Sequence, residues 1–401
     1  MNSRRAFLGQ VATGIGSFAS VPRTVFGANE RIRVGVIGYG DRGSVIAREA
    51  LGCSGVQLVS ASDVYVKQLE RAAAETPGIG VFLDHRQMLE EAPLDAVLIA
   101  TPPHLHAAQF VDSVSAGKHV YIENAMAYSV EHAKQMRGAL AAAKSKPVIQ
   151  IGHQSCSFGQ IADAAKFLTP EKMGVVTAIH ASMHRNTPHG RPQWARPVYP
   201  GMTTENIVWN KFLGDAPHVP FDPVRYRNWR YFWDYSGGNV HENMSHQLAF
   251  WYKVLNLQIP NAVTMTGGLY LWRDGREVPD TMSVAMEQPE QLLFTWHSSF
   301  GNSNLGMTES VLGTDGTITK GAQIRYWPEK VNRPQGDALV GTTMTPPSAH
   351  MRNFLDCIRS AKETNCPFDV GFRVSIACRM AVESYHQRRT VYWDAATEEI
   401  V

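Results

Sequence analysis

The stretch "RIRVGVIGYGDRGSVIAREAL", residues 31–51, constrains the fold more than any other. An apolar, β-branched run ends in Gly38-Tyr39-Gly40-Asp41-Arg42-Gly43, and apolar residues at helical spacing follow. That order reads as strand, glycine turn, helix. The first glycine permits the tight turn, the second lets a pyrophosphate reach the backbone, and the third allows close helix–strand packing. A second apolar run, "VQLVSAS", ends at Asp63, 20 residues after Gly43, where a carboxylate meets the hydroxyls of an adenine ribose. Glycines and acid together predict a dinucleotide site made of Gly38, Tyr39, Gly40, Arg42, Gly43 and Asp63. The negative charge of Asp63 favours NAD over NADP, and Arg42 softens that preference.

Strands and helices continue to alternate. Helices are expected from about Tyr65 and Asp84, and strands at 95–100, 118–122 and 147–151. That alternation implies a doubly wound parallel sheet whose ligand lies at the strands' C-terminal edge. Thr101-Pro102 and Glu123-Asn124 both fall on that edge, and Ser129 is placed to cap the helix after the second pair. From Gln160 the pattern changes to one short helix, a long alternating strand near Val175 to His184 and later strand-like runs separated in part by turn residues, with a helix expected over about Val240 to Leu255. The expected class is α/β: a Rossmann domain over 31–155 and an α+β domain with a large, mainly antiparallel open sheet over 156–401.

Composition excludes several classes. Of 401 residues, 44% are hydrophobic and 18% charged, with a formal net charge of +2, as in ordinary globular domains. Basic residues are scattered, which argues against a nucleic-acid partner. Five cysteines without a Cys-x-x-Cys pair imply neither a metal nor a disulfide framework. Residues 1–30 contain Ser3-Arg4-Arg5-Ala6-Phe7-Leu8 before a short, mildly apolar run, and read as a twin-arginine export signal. The run is short of the ~20 strongly apolar residues of a stable transmembrane span. A periplasmic protein is expected, or a membrane-tethered one if the signal is retained. Export in the folded state suits a protein that holds its cofactor tightly.

"GGNVHENMSHQ", residues 237–247, has two chemical readings. His241 and His246 are five apart, about 140° around an α-helix, so they cannot share a metal from one face. Glu242 and His246 are four apart, where a carboxylate can orient an imidazole for proton transfer. Other candidates for substrate contact are His184 and Arg185 at the end of a predicted strand, and Arg227. Trp194, Trp209 and Trp229 suit a glycan surface, although core packing explains tryptophans equally well.

These motifs resemble the Gfo/Idh/MocA family, the glucose-fructose oxidoreductase and inositol dehydrogenase group. The likeness rests on "VGVIGYGDRG", on "ATPPHLHA" against the family's Thr-Pro-x-x-x-His, and on "AGKHVYIE". It also rests on residues 208–238, on "GTDGTI" and on "NFLDCIRSAKE", and covers nearly all of the chain after the signal. The resemblance implies a bound nicotinamide cofactor, sugar or cyclitol substrates, and a homo-oligomer through the C-terminal sheet. It implies that Thr101, Pro102 and His106 lie near the dinucleotide, and that Glu123 matches the glutamate of a Glu-Lys-Pro motif. Glu242 and His246 match an Asp-x-x-x-His pair, with Glu for Asp. Asn124 and Ala125 stand where that motif has Lys and Pro, so the usual manager of the hydroxyl proton is absent. Three functions are consistent with this: an NAD(P)-dependent sugar oxidoreductase with His246 as proton acceptor, a glycoside hydrolase using transient oxidation, and a catalytically impaired binding protein.

Overall fold

The computed structural model describes residues 31–186, 191–329, 338–341, 345 and 348–401; the expected export signal, 1–30, lies outside the described residues. The first apolar runs form strands β1 (Ile32–Ile37), β2 (Val56–Ser62), β3 (Gly80–Phe82), β4 (Ala96–Ile99), β5 (His119–Glu123) and β6 (Ile149–Gly152). They pair in the order β3-β2-β1-β4-β5-β6, every pair parallel. Parallel neighbours require crossovers, supplied by helices such as Asp41–Leu51, Val66–Glu75 and His106–Ser115. Helices on both faces explain why β4 and β6 are buried at every position. Gly38, Asp63, Asn124 and His153 directly follow β1, β2, β5 and β6, so all four emerge on one edge. Ser129 caps the next helix as expected, its Oγ accepting the His132 N–H at 3.1 Å.

The second part is built on a ten-stranded sheet. Its strands are β7 (Val176–His184), β8 (Ala262–Gly268), β9 (Thr281–Gln288), β10 (Leu292–Ser299), β11 (Met307–Gly313), β12 (Gly316–Lys320), β13 (Ile324–Pro328), β14 (Leu339–Val340), β15 (Val391–Asp394) and β16 (Glu399–Ile400). The order is β14-β13-β12-β11-β7-β10-β9-β8-β15-β16; β7 and β10 run parallel, and the other pairs are antiparallel. Period-two alternation is plain in β9 and β10: Met282, Val284, Met286, Phe294 and Trp296 point into the core. Helices Ser245–Leu255 and Phe368–Gln387 cover that face. Full burial stabilises each such large apolar side chain by about 1.5–3 kcal/mol. The opposite face exposes His180, Thr264, Glu287, Leu293 and His297.

One element differs from expectation in a way that matters for the chemistry. The helix expected from Val240 opens with a π-helical turn, Val240–Met244, and becomes α-helical only at Ser245. A π-turn has a wider hydrogen-bond step than an α-turn. Positions four apart across it therefore no longer lie one above the other.

Within residues 191–239, the stretch around residues 207–212 lies over the parallel sheet's C-terminal edge. Ile207 bridges to Tyr65, Val208 N–H donates to Val64 O at 2.9 Å, and Phe212 O contacts the His104 ring at 2.7 Å. Between this strap and the sheet edge lies a cleft of about 1010 Å³.

Candidate active site

One end of the cleft is the glycine loop. Gly38 has φ +86°, the left-handed region that favours glycine. A Cβ on Gly43 would stand 1.8 Å from Gly38 O, so only glycine lets this helix approach the strand. A Cβ on Gly40 would meet nothing within 4 Å; the space beside it is open cleft. No side chain caps the helix Asp41–Leu51 at Gly40, which leaves N–H groups of its first turn for an anion. Asp63 accepts the backbone N–H of Tyr39 and of Tyr65, each at 2.8 Å, and burial raises its pKa to about 6 against those bonds. A loop with room at Gly40, an uncapped helix start and a fixed acid fits a dinucleotide.

Glu123 and Asn124 mark the middle of the cleft. Glu123 Oε1 receives Arg42 Nη2 at 2.8 Å and the Tyr121 hydroxyl at 3.2 Å. Burial pushes the Glu123 pKa up and Arg42 opposes it; burial works against the Arg42 charge, and Glu123, Tyr121 and Glu49 together more than offset that. Arg42 is thus committed to Glu123. The Asn124 amide spans to the other part of the molecule, with Nδ2 lying 3.2 Å from His241 O, 3.3 Å from Glu242 O and 3.3 Å from Ser245 Oγ. Where the resemblance implies a lysine, the chain has an amide donor aimed at the π-turn.

At the far end stands His246. Its Nδ1 lies 3.4 Å from Nδ1 of His153, with the rings perpendicular at 88°. One imidazole donates and the other accepts. Burial, and next Arg42 and Arg185, lower the His246 pKa to about 4. Burial also holds His153 well below its ordinary value, with His246 and His350 adding to the effect. At neutral pH the pair is uncharged, and His246 can accept a proton.

Several expected site residues stand outside the cleft or line it in another role. Glu242 does not orient His246: its Oε2 accepts from Arg230 Nε at 2.6 Å, because the π-turn rotates it away from the α-helical position. Trp209 is a core residue, with Nε1 donating to Val219 O at 2.8 Å and the indole stacked on Phe212. His184 pairs with Ser299 at the sheet end and does not line the cleft. Arg227 does, but at the glycine loop, 3.8 Å from Asp41, beside Arg196 at 3.7 Å. His106 lies behind the wall, its two ring nitrogens 2.9 Å from Ala125 O and 2.8 Å from Thr101 O. Burial lowers its pKa to about 4, so the neutral ring donates to one carbonyl at a time and ties the two loops together. The Tyr39 side chain also points away, its hydroxyl donating to Glu75 at 3.0 Å, and only its backbone serves the site.

Thr101, Pro102, Arg185, Trp194 and Trp229 do line the cleft. Sequence reasoning missed His153 and Arg230. His153 carried a signal, as a polar residue one step beyond a parallel strand on the ligand-binding edge. Arg230 carried none that distinguishes it from the other arginines of its segment. Among the described residues no group of three or more His, Cys, Asp or Glu side chains is placed to hold a metal, and no helix is long and apolar enough to cross a membrane.

Known proteins resemble this chain in part of its sequence and in its fold. Residues 32–153 match the Gfo/Idh/MocA sequence model, described as "Oxidoreductase family, NAD-binding Rossmann fold". A dehydrogenase of 1-carboxy-3-chloro-3,4-dihydroxycyclohexa-1,5-diene from Comamonas testosteroni is 29% identical over 150 residues, 37% of each chain. An alpha-N-acetylgalactosaminidase from Shewanella oneidensis is 31% identical over 116 residues, 27% of this chain and 25% of that one. The chain thus matches only 25% to 37% of the length of these curated relatives. The fold extends further than the sequence identity. Levoglucosan dehydrogenase, solved with NADH and levoglucosan, superposes with a TM-score of 0.67 at 17% identity, over 90% of this chain and 99% of that one. GenD2 from gentamicin A biosynthesis, solved with NAD, gives 0.67 at 18% identity, over 94% and 100%. Residues 32–153 of this chain, the parallel sheet and its helices, are thus similar to the NAD-binding Rossmann fold of the Gfo/Idh/MocA oxidoreductases.

Proposed function

We propose that the protein is an exported, NAD-dependent oxidoreductase that acts on a hydroxyl-bearing carbon of a sugar, glycoside or cyclitol. The observation that carries this reading is that a neutral imidazole, His246, lines the same cleft as the glycine loop and Asn124. Bound NAD supplies a hydride acceptor, which by itself leaves a hydroxyl proton to be removed. His246 takes that proton, and His153 holds the ring in place through Nδ1. Asn124 cannot take it; its amide instead ties the Rossmann domain to the π-turn that leads into His246.

Gly38, Gly40, the start of helix Asp41–Leu51, Asp63, Thr101 and Pro102 are the residues to hold the dinucleotide. NADP is disfavoured by the buried Asp63, since Arg42 is paired with Glu123 and does not offset it. The arginine-bearing strap over Asp41 supports a tightly retained cofactor, in keeping with twin-arginine export to the periplasm. The exposed face of the large sheet is the surface proposed for a homo-oligomer.

Glycoside hydrolysis with internal turnover of the cofactor is a second reading, favoured by the sequence match to the α-N-acetylgalactosaminidase. One experiment separates the two. Purified protein supplied with NAD and a panel of polyols, sugars and aryl glycosides is expected to produce NADH with at least one polyol or sugar. Release of the aryl group without net NADH supports hydrolysis instead, and neither product with any compound contradicts both.

A further inference from the structure

The cleft contains three arginines near its reacting end, and two are neutralised in place. Arg42 lies 2.8 Å from Glu123, and Arg230 lies 2.6 Å from Glu242. Arg185 is different. Its Nη2 donates to Asn243 Oδ1 at 2.9 Å and contacts Met183 Sδ at 3.1 Å, both uncharged acceptors. Its other guanidinium nitrogens have no acceptor among the described residues. They are also absent from the buried unpaired atoms, so they open onto the cleft that Arg185 lines. Burial lowers the Arg185 pKa, with Glu242 partly offsetting that from beyond ion-pair distance. A guanidinium nevertheless stays charged at neutral pH. The result is a partly buried cation with no ion-pair partner among the described residues.

Leaving a charge partly buried without a counter-ion is costly, and a charged ligand group removes that cost. We infer that Arg185, held in place by Asn243, binds an anionic group of the substrate, so that the natural substrate is an acidic sugar, one bearing a carboxylate or a phosphate. The planar guanidinium suits the paired oxygens of either group. This inference rests on the oxidoreductase reading above, and gives it a substrate class.

The same charge bears on proton transfer. The charged and titratable groups acting on His246 are Arg42 from the first helix, Arg185 after β7, His153 after β6, and His350 from the helix Ala349–Ser360. An anion seated on Arg185 offsets one of the two cations that depress His246. Binding of the acidic substrate thereby makes His246 a stronger base at the moment a proton must be taken.

The test is calorimetric titration of the NAD-loaded protein with matched sugars that differ in one group: glucose, glucuronate and glucose 1-phosphate, with the galactose set beside them. At least one acidic member is expected to bind about 10- to 100-fold more tightly than its neutral counterpart, the range of a charged hydrogen bond. The preferred member tells carboxylate from phosphate. Arg185→Met is expected to bring that ratio close to one, and Arg185→Lys to keep part of it. With a turned-over acidic sugar, the acid limb of kcat should lie above that of kcat/KM, and the gap should close in Arg185→Met. Equal binding of acidic and neutral members, or an unchanged ratio in Arg185→Met, overturns the inference, and NADH formation on neutral polyols then leaves the oxidoreductase reading standing. Acidic sugars that bind through Arg185 without any compound yielding NADH overturn that reading alone.

Discussion

Replacing His246 with alanine is expected to lower turnover by about 10²- to 10⁴-fold, the range for loss of a general base, with NAD affinity nearly unchanged. The expectation follows from where the other candidates are committed. Glu123 is paired with Arg42, Glu242 with Arg230, and the Asn124 amide with two carbonyls and a hydroxyl of the π-turn. His246 alone of these lines the cleft as a neutral base, with its ring held by His153. Parallel measurement of turnover and of NAD binding by titration checks both halves of the statement. A variant that binds NAD normally and turns over at the wild-type rate removes His246 from the mechanism.

Gly43→Ala is expected to have the largest effect on the cofactor site. The added methyl would stand 1.8 Å from Gly38 O, a backbone atom, so either the helix or the strand end must move. Overpacking of this kind costs about 1–3 kcal/mol, and the displaced glycine loop should lose NAD affinity by at least about tenfold. Gly40→Ala is the matching control, since its Cβ meets no protein atom within 4 Å. It should melt like the wild type yet bind NAD more weakly, because the methyl fills space left for the ligand. Melting curves with and without NAD read both variants. Equal loss of stability in the two would contradict the assigned division between packing and binding.

The two ends of the cleft differ in how far they were legible in the sequence. The glycine loop was readable because its requirements are local: a positive φ at Gly38, a close approach at Gly43, and an acid at the end of the next strand. That the sheet is parallel follows from the alternation of strands and helices, whereas its strand order is seen only in the fold. The reacting end was only partly readable, because its geometry depends on contacts distant in sequence. Glu242 and His246 have the spacing of an α-helical pair, and nothing in "VHENM" announces a π-turn or the Arg230 partner that takes the carboxylate. Trp209 and Trp229 lie in one segment and have the same composition signal; one packs on Phe212 and the other lines the cleft. The sequence was informative at Asn124 in a narrower sense. An amide cannot carry the proton, but only the fold reveals that it braces the turn leading to His246.

The pH dependence of kcat/KM, measured with saturating NAD and the sugar or polyol that the protein oxidises fastest, decides whether His246 is the base. His246 is held down to a pKa of about 4, so its neutral, proton-accepting form predominates at all higher pH. Activity should therefore rise through about pH 4 and stay level across neutral pH. Saturating NAD keeps the titration of Asp63, near 6, from weighing on cofactor binding. A limb near 4 that disappears in His246→Gln, together with most of the activity, is the predicted result. A limb at the ordinary histidine value of about 6.5, or the same limb and rate in His246→Gln, would contradict the account.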